Sequence, residues 1–345
     1  METTPEPRDT RIIMSNTDFP VLGFDVGGTK IAVCIALSSG EILESRRVDT
    51  GGRPYEEVRT EMLAAAAQLV QGNGFTREQI RACGISAPGP LDIRNGVMRK
   101  SPNLPWDDVP IQRDVAEGLG LPVTLINDAS AGVLAEWLFG AAKGCRNALY
   151  LTMSTGIGGG ILADGHLIQG ATGNAGEIGH MVLDINGPLC GCGLRGCFEA
   201  FCGGRNVARH AQALLREEPD HAILKRPEIA GDLSKVRFET IRDAARDGVP
   251  LAVELWDGIC FRIAQGIGLL MNVFNPELVI LGTAALYAGD FMLDPVRRHL
   301  PRFAWKEMSA NCEIRVTALG KSIGELAGAS VALYGLYENG EWTPR

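Results

Sequence analysis

The chain has no excess of positive charge. Its 345 residues carry 33 Lys and Arg against 41 Asp and Glu, a formal net charge of -8. A sequence-independent nucleic-acid binder needs a basic face to displace counterions from phosphates, so that class is excluded. An apolar leader is also missing: residues 1–20 hold Pro, Thr and both charge signs, and read as a loose tail rather than a signal peptide. Nor is there a charge-free run of membrane length. The most apolar long segment, 251–274, contains Glu254, Asp257 and Arg262 and reads as a buried or amphipathic helix. There is no G-x-x-x-x-G-K-[ST] phosphate loop, and no glycine-rich turn opens a helix as a dinucleotide fingerprint must. None of this speaks against binding ATP through backbone amides and one bound cation.

What is present is ordinary for a soluble protein: 46% hydrophobic and 21% charged residues. A chain this long exceeds what one hydrophobic core usually supports, so two domains are expected. Cytoplasmic residence is the default, and there the nine cysteines stay reduced.

The runs 21–26, 31–37 and 41–48 are rich in β-formers and joined by connections too short for helices, so the sheet begins as an antiparallel meander. Residues 55–71 read as a helix, 80–86 and 122–126 as strands, and about 128–142 as a helix. Strand, glycine turn, strand, small turn, strand then recurs near 147–168. Two similar halves facing each other would set two glycine turns across one cleft. A helix at 250–273, strands at 277–281 and 313–319, and a last helix opened by a Ser322–Glu325 capping box complete an α/β pattern.

Asp25-Val-Gly-Gly-Thr-Lys30 and Ser154-Thr-Gly-Ile-Gly-Gly-Gly160 look built for phosphate. Glycines there allow positive φ and close approach to an anion, while Thr29 and Thr155 add hydroxyl donors. A plain hairpin turn explains either one alone. Asp25 is a candidate to hold Mg²⁺ through water, or else a turn residue. Asn127-Asp128 precedes a helix, and capping explains both residues. The functional alternative has Asp128 accept a hydroxyl proton while Asn127 holds a neighbouring hydroxyl. The helix N-terminus is expected to keep Asp128 ionised.

The stretch Cys190-Gly-Cys-Gly-Leu-Arg-Gly-Cys197 lies ten residues after His180. His180, Cys190, Cys192 and Cys197 make a four-coordinate set suited to structural Zn²⁺. Cys-Gly-Cys is too tight for a good internal disulfide. Free buried thiols and a redox pair are the alternatives, and Cys202 is a spare thiol that sequence alone does not place. Cysteines 34, 83, 145, 260 and 312 read as core. A closed zinc site would pin Glu177, His180 and Glu199 in one place.

Taken together, LGFDVGGTK, LINDASAGVLAEWLFGAAKG, STGIGGGILADGHLIQGATGNAGEIGH, CGCGLRGCFEA and NPELVILG resemble motifs of the ROK family of sugar kinases and repressors, over about residues 21–338. The resemblance implies an actin-like ATPase (ribonuclease H-like) fold with two α/β domains flanking a cleft and a zinc-binding loop. On that division residues 1–20 are tail, 21–140 the first domain and 141–321 the second, with the helix at about 322–338 packing back on the first. It implies transfer of the γ-phosphoryl of ATP, with Mg²⁺, to a hexose hydroxyl, with glucose first. N-acetylmannosamine, N-acetylglucosamine, fructose and allose are the other acceptors, and a non-catalytic sugar sensor the other role. Asp128 would be the base, with Asn103, Asn127, Glu177, His180 and Glu199 on the sugar. Gly27, Gly28, Thr29, Lys30, Thr155, Gly156, Gly158 and Gly282 would hold the nucleotide, and His180, Cys190, Cys192 and Cys197 the zinc. A homodimer or dimer of dimers is expected, with no nucleic-acid or membrane partner. The family's repressors carry a helix-turn-helix domain in front, for which 20 residues are too few. Three departures stand out: Ser154 replaces a glycine, Thr283 and Ala284 stand where the family has glycines after Gly282, and FCGG at 201–204 replaces a more usual Tyr or Ala with Ser nearby, leaving Cys202 unexplained.

Overall fold

A computed structural model describes residues 18–100 and 104–344. Asn103 therefore lies outside the described residues, as does most of the expected tail. The tail ends earlier than expected: Phe19 donates its amide to Ser38 Oγ, and β1 (Pro20–Val26) has already begun at residue 20.

β1 forms the expected antiparallel meander with β2 (Lys30–Leu37) and β3 (Ile42–Asp49). β4 (Cys83–Ala87) joins the other side of β1 in parallel. A small ribbon of β5 (Leu91–Asp92) and β6 (Val97–Met98) follows, and β7 (Val123–Asn127) completes the sheet beside β4. The order is β3-β2-β1-β4-β7.

The second sheet comprises β8 (Ala148–Met153), β9 (Ile157–Ala163), β10 (His166–Leu167), β11 (Leu278–Leu281) and β12 (Glu313–Val316), in the order β10-β9-β8-β11-β12. It too is an antiparallel meander flanked by two parallel strands. The repeated pattern in the sequence is thus a repeated topology. β9 begins at Ile157 and includes Gly158, Gly159 and Gly160, so only Ser154, Thr155 and Gly156 form the second turn.

Among the described residues three large apolar cores result, beside a small cluster of Cys190, Cys197 and Ala200. One lies beneath the first sheet against the helix Tyr55–Gly72, and another packs the helix Pro250–Phe274 on the second sheet. The third lies between the sheets and draws on both, with the helices Asp128–Phe139 and Ile323–Glu338 in its middle. The first of these helices packs on β8 and β9, the second on β1 and β4, and they pack on each other. Both are apolar nearly all round, as a helix enclosed on every side must be. Among the described residues no helix is long and apolar enough to cross a membrane.

The capping box expected at Ser322 does not form. A 3₁₀ turn, Gly320–Ser322, runs straight into the helix, so Ser322 already has helical dihedrals (φ -77°, ψ -8°) and its side chain caps nothing. Glu325 instead accepts a hydrogen bond from Ser45 Oγ at 3.0 Å. Cys145 and Cys312 are only partly buried, packed against the edges of the cores, whereas Cys34, Cys83 and Cys260 are fully buried.

The helix Ile323–Glu338 approaches the first sheet backbone to backbone. A Cβ at Gly84 would collide with Ala332 N and Gly328 O, and one at Gly23 with Ala329 N. Gly84→Ala should therefore destabilise by about 3 kcal/mol or more in denaturant unfolding, since rigid backbone has to give. Gly258→Ala, in a helix where a Cβ meets nothing within 4 Å, should stabilise by about 0.5–1 kcal/mol.

Candidate active site

Ligands of open α/β sheets bind beyond the carboxyl ends of parallel strands. Here β1, β4 and β7 are in register there: Asp25 pairs with Ser86, and Ala87 with Asn127. The chain leaves β7 directly into a helix, which puts Asp128 at its first position. Asn127 Oδ1 accepts the Ala129 amide at 3.0 Å and Asp128 Oδ1 accepts it at 2.8 Å. Capping and a place in the cleft are therefore compatible roles for the same pair.

A cavity of about 530 Å³ opens from this edge toward the second sheet. It brings together Asn127, Asp128, Glu177, His180 and Glu199 with Gly156 and Gly158 of the second turn. Asp25, Gly27, Gly28, Thr29, Lys30, Thr155 and Gly282 lie outside its lining. Pro88, Gly89, Pro90 and Asn174 form wall that the sequence reading missed. Pro-Gly-Pro directly after an apolar strand was the available signal, because such a breaker marks where the strand ends.

The carboxylates are under electrostatic tension. Burial pushes the Asp25 carboxyl up to about 6, partly opposed by the hydrogen bond from Ser86 Oγ at 2.9 Å, and Asp128 pushes it further. Asp128 is open to water in the cleft mouth but ringed by protein. The loss of hydration, with Glu177 adding to it, lifts its carboxyl above the ordinary range. The Ala129 amide pulls the other way and loses. The direction of the shift is set by crowding and the like charge of Glu177, which outweigh the hydrogen bonds from the Ala129 amide, Asn127 and its own amide.

The turn glycines act through space rather than dihedrals. Neither Gly27, Gly28, Gly156 nor Gly158 has positive φ, contrary to expectation. A Cβ at Gly156 would strike Glu199 Oε2, and one at Gly160 would lie 2.5 Å from Ala129 O. Glu199 Oε2 in turn accepts the Ile157 amide at 2.9 Å, tying the cysteine segment to the start of β9. After Gly282, Thr283 adopts φ 44°, ψ -94°, a conformation a β-branched residue takes only under strain. Its hydroxyl lies 3.3 Å from that of Thr152.

The His180, Cys190, Cys192 and Cys197 ligand atoms all lie within 4.8 Å of one another, with Cys192 Sγ 3.7 Å from Cys197 Sγ and Cys190 Sγ 3.8 Å from His180 Nδ1. Ligands at about 2.3 Å from a tetrahedral ion are separated by about 3.8 Å, so the set fits Zn²⁺. Gly193 (φ +93°) and Gly196 (φ +70°) make the knuckle that allows it. Cys202 is buried in the second-sheet core and donates to Ile259 O at 3.6 Å, so it is no ligand.

Two sheets of one strand order, meeting at their carboxyl edges across a polar cleft, define an α/β protein of the actin-like sugar-kinase type. The chain belongs to the ROK family, whose profile matches residues 21–333. It is 33% identical to a glucokinase of Thermotoga maritima over 90% of this chain and 96% of that one. It superposes on a ROK hexokinase from Thermus thermophilus with a TM-score of 0.80 and 34% identity, covering 92% of this chain and 99% of that one. A ROK family glucokinase from Streptomyces griseus, solved with glucose and AMPPNP, gives a TM-score of 0.74 and 31% identity, covering 91% and 99%.

Asp25 supplies a test by pH. Its folded pKa of about 6 lies above the ordinary 3.8, so ionisation opposes folding. The penalty is absent below the ordinary value, grows through about 6 and is complete above it. Asp25→Asn keeps an acceptor for Ser86 and removes the charge. It should raise the Tm of ligand-free protein at pH 8, by about 1–2 kcal/mol in stability, and change it little at pH 4.

Proposed function

We propose that the protein is an ATP-dependent sugar kinase that phosphorylates glucose at O6. The observation that carries the proposal is Asp128, set at the carboxyl edge of β7 in a cavity walled by hydroxyl-binding groups and facing the second turn. Asn127, Glu177, His180 and Glu199 would hold sugar hydroxyls, and Asn103 is retained as a further contact. The backbone of Gly27, Gly28, Thr29 and Lys30 would hold phosphates from one side. Thr155, Gly156, Gly158 and Gly282 would hold the nucleotide from the other.

Phosphoryl transfer passes through a loose transition state that demands alignment more than early proton removal. Asp128 needs only to orient the attacking hydroxyl and take its proton late. Its carboxyl, raised by loss of hydration and by Glu177, is a better proton acceptor than an ordinary carboxylate. Asp25, strained as an anion beside Asp128, fits the outer shell of Mg²⁺, which when bound neutralises charge on the phosphates. Closure of the domains 21–140 and 141–321 over the sugar would keep water from the γ-phosphate, with 322–338 completing the first.

The cysteine loop would hold zinc as a brace. His180 turns Nδ1 toward Cys190, which leaves Nε2 for a sugar hydroxyl, and Glu199 follows two residues after Cys197. Assembly as a homodimer or dimer of dimers is part of the proposal, supported by the exposed apolar residues Ile185, Leu189 and Leu194 on that loop.

ADP release with Mg·ATP across a hexose panel tests this reading. Glucose should give the highest kcat/KM, and Asp128→Asn should lower kcat by about 10²–10⁴-fold with little change in glucose KM. Preference for an N-acetylated sugar would overturn the substrate, and a lack of turnover with any sugar and phosphoryl donor would leave the sensor role. Metal analysis should return one zinc per chain. Cys192→Ser should lose it and raise glucose KM more than ATP KM.

A further inference from the structure

Between the sheets the chain crosses twice, once through residues 140–147 after the helix Asp128–Phe139 and once through 317–322 before the helix Ile323–Glu338. One side chain touches both crossings. Glu136 is fully buried near the C-terminal end of the first helix. That is an unfavourable place for a carboxylate, because the negative end of the helix dipole adds to the cost of desolvation. Four donors offset it. Oε2 accepts the Ala141 amide at 2.6 Å and the Ala318 amide at 3.4 Å. Oε1 accepts the Thr317 hydroxyl and, at 3.4 Å, the Leu319 amide. Ala141 belongs to the first crossing and Thr317, Ala318 and Leu319 to the second. Gly140 makes room, since a Cβ there would collide with Oε2.

The same helix connects this contact to the cleft. Asp128, Gly132 and Glu136 are spaced by four and share one face. The Tyr150 ring of β8 packs on Gly132, where a Cβ would lie 2.6 Å from its Cε1, and its hydroxyl fills the space beside Gly282. One helix thus carries Asp128, a close contact with the second sheet at Gly132 and the contact with the crossings at Glu136.

We propose that Glu136 is a positioning residue of the hinge, whose one carboxylate clasps both crossings to the helix that carries Asp128 and so sets Asp128 against the phosphate turns. The catalytic half of this inference rests on the kinase reading; the clasp itself does not.

The test uses the full chain and two variants, Glu136→Gln and Thr317→Val. The glutamine is isosteric, but its amide end turns an acceptor into a donor facing other donors. Hydrogen exchange should speed up by about tenfold or more in residues 140–142 and 317–319 together, while β11 stays protected. With glucose and Mg·ATP, kcat should fall by about tenfold while glucose KM stays within about twofold, the mark of misalignment rather than lost binding. Faster exchange in one crossing only would overturn the clasp. Joint acceleration with wild-type kcat would overturn the positioning role. Should wild type show no sugar-dependent turnover, the kinase reading fails, and exchange alone still decides the clasp. If the glutamine variant does not fold, Thr317→Val carries the same comparison, with smaller shifts of the same sign expected in both readouts.

Discussion

At Gly23, Gly84 and Gly328 a helix and two strands touch through their backbones, with no side chain between them. This close approach lets the helix Ile323–Glu338 lie flat on β1 and β4 while its other side meets the helix Asp128–Phe139. The two helices then fill the space between the sheets and bring the carboxyl edges of both toward one cleft. A Cβ at any of the three would lift the helix and the shared core with it. The cleft therefore depends on contacts well behind it.

Within that frame the site keeps negative groups closer together than water would allow. Asp128 acts on Asp25 and Glu177 acts on Asp128, and burial raises both aspartates above the usual carboxylate range. Such a site is unfavourable when empty, and a bound cation or a proton-donating hydroxyl relieves it. The strained Thr283 and the close-packed Gly156 and Gly160 belong to the same pattern, in which backbone and charge are held where ligands would meet them. The cysteine loop works differently: four ligand atoms from His180 to Cys197 converge, and Glu199 extends from the same segment to the amide of Ile157.

Local chemistry made much of this legible from sequence. Short β-rich runs with tight turns gave the two meanders, because so few residues admit no other connection. The spacing His180, Cys190, Cys192, Cys197 marked four side chains that converge in the fold, because a short glycine-rich span can bring thiols and an imidazole together. Asn127-Asp128 was recognisable as a helix start, and its place in the cleft follows from lying at the end of a parallel strand. These are properties of neighbours along the chain, which the sequence by itself determined.

Tertiary structure alone decided the rest, because it depends on what lies opposite. The local pattern at Ser322–Glu325 read as a capping box, yet an entering 3₁₀ turn and Ser45 changed both residues' partners. The pKa of Asp128 took its direction from crowding and Glu177 rather than from its own helix. Cys202 became core through Ile259, far away in sequence. Glu136 gave no signal of its own, since its four donors come from two crossings separated by most of the second half of the chain. A residue's type and spacing fix what it can bond to, but burial and long-range neighbours fix what it does bond to.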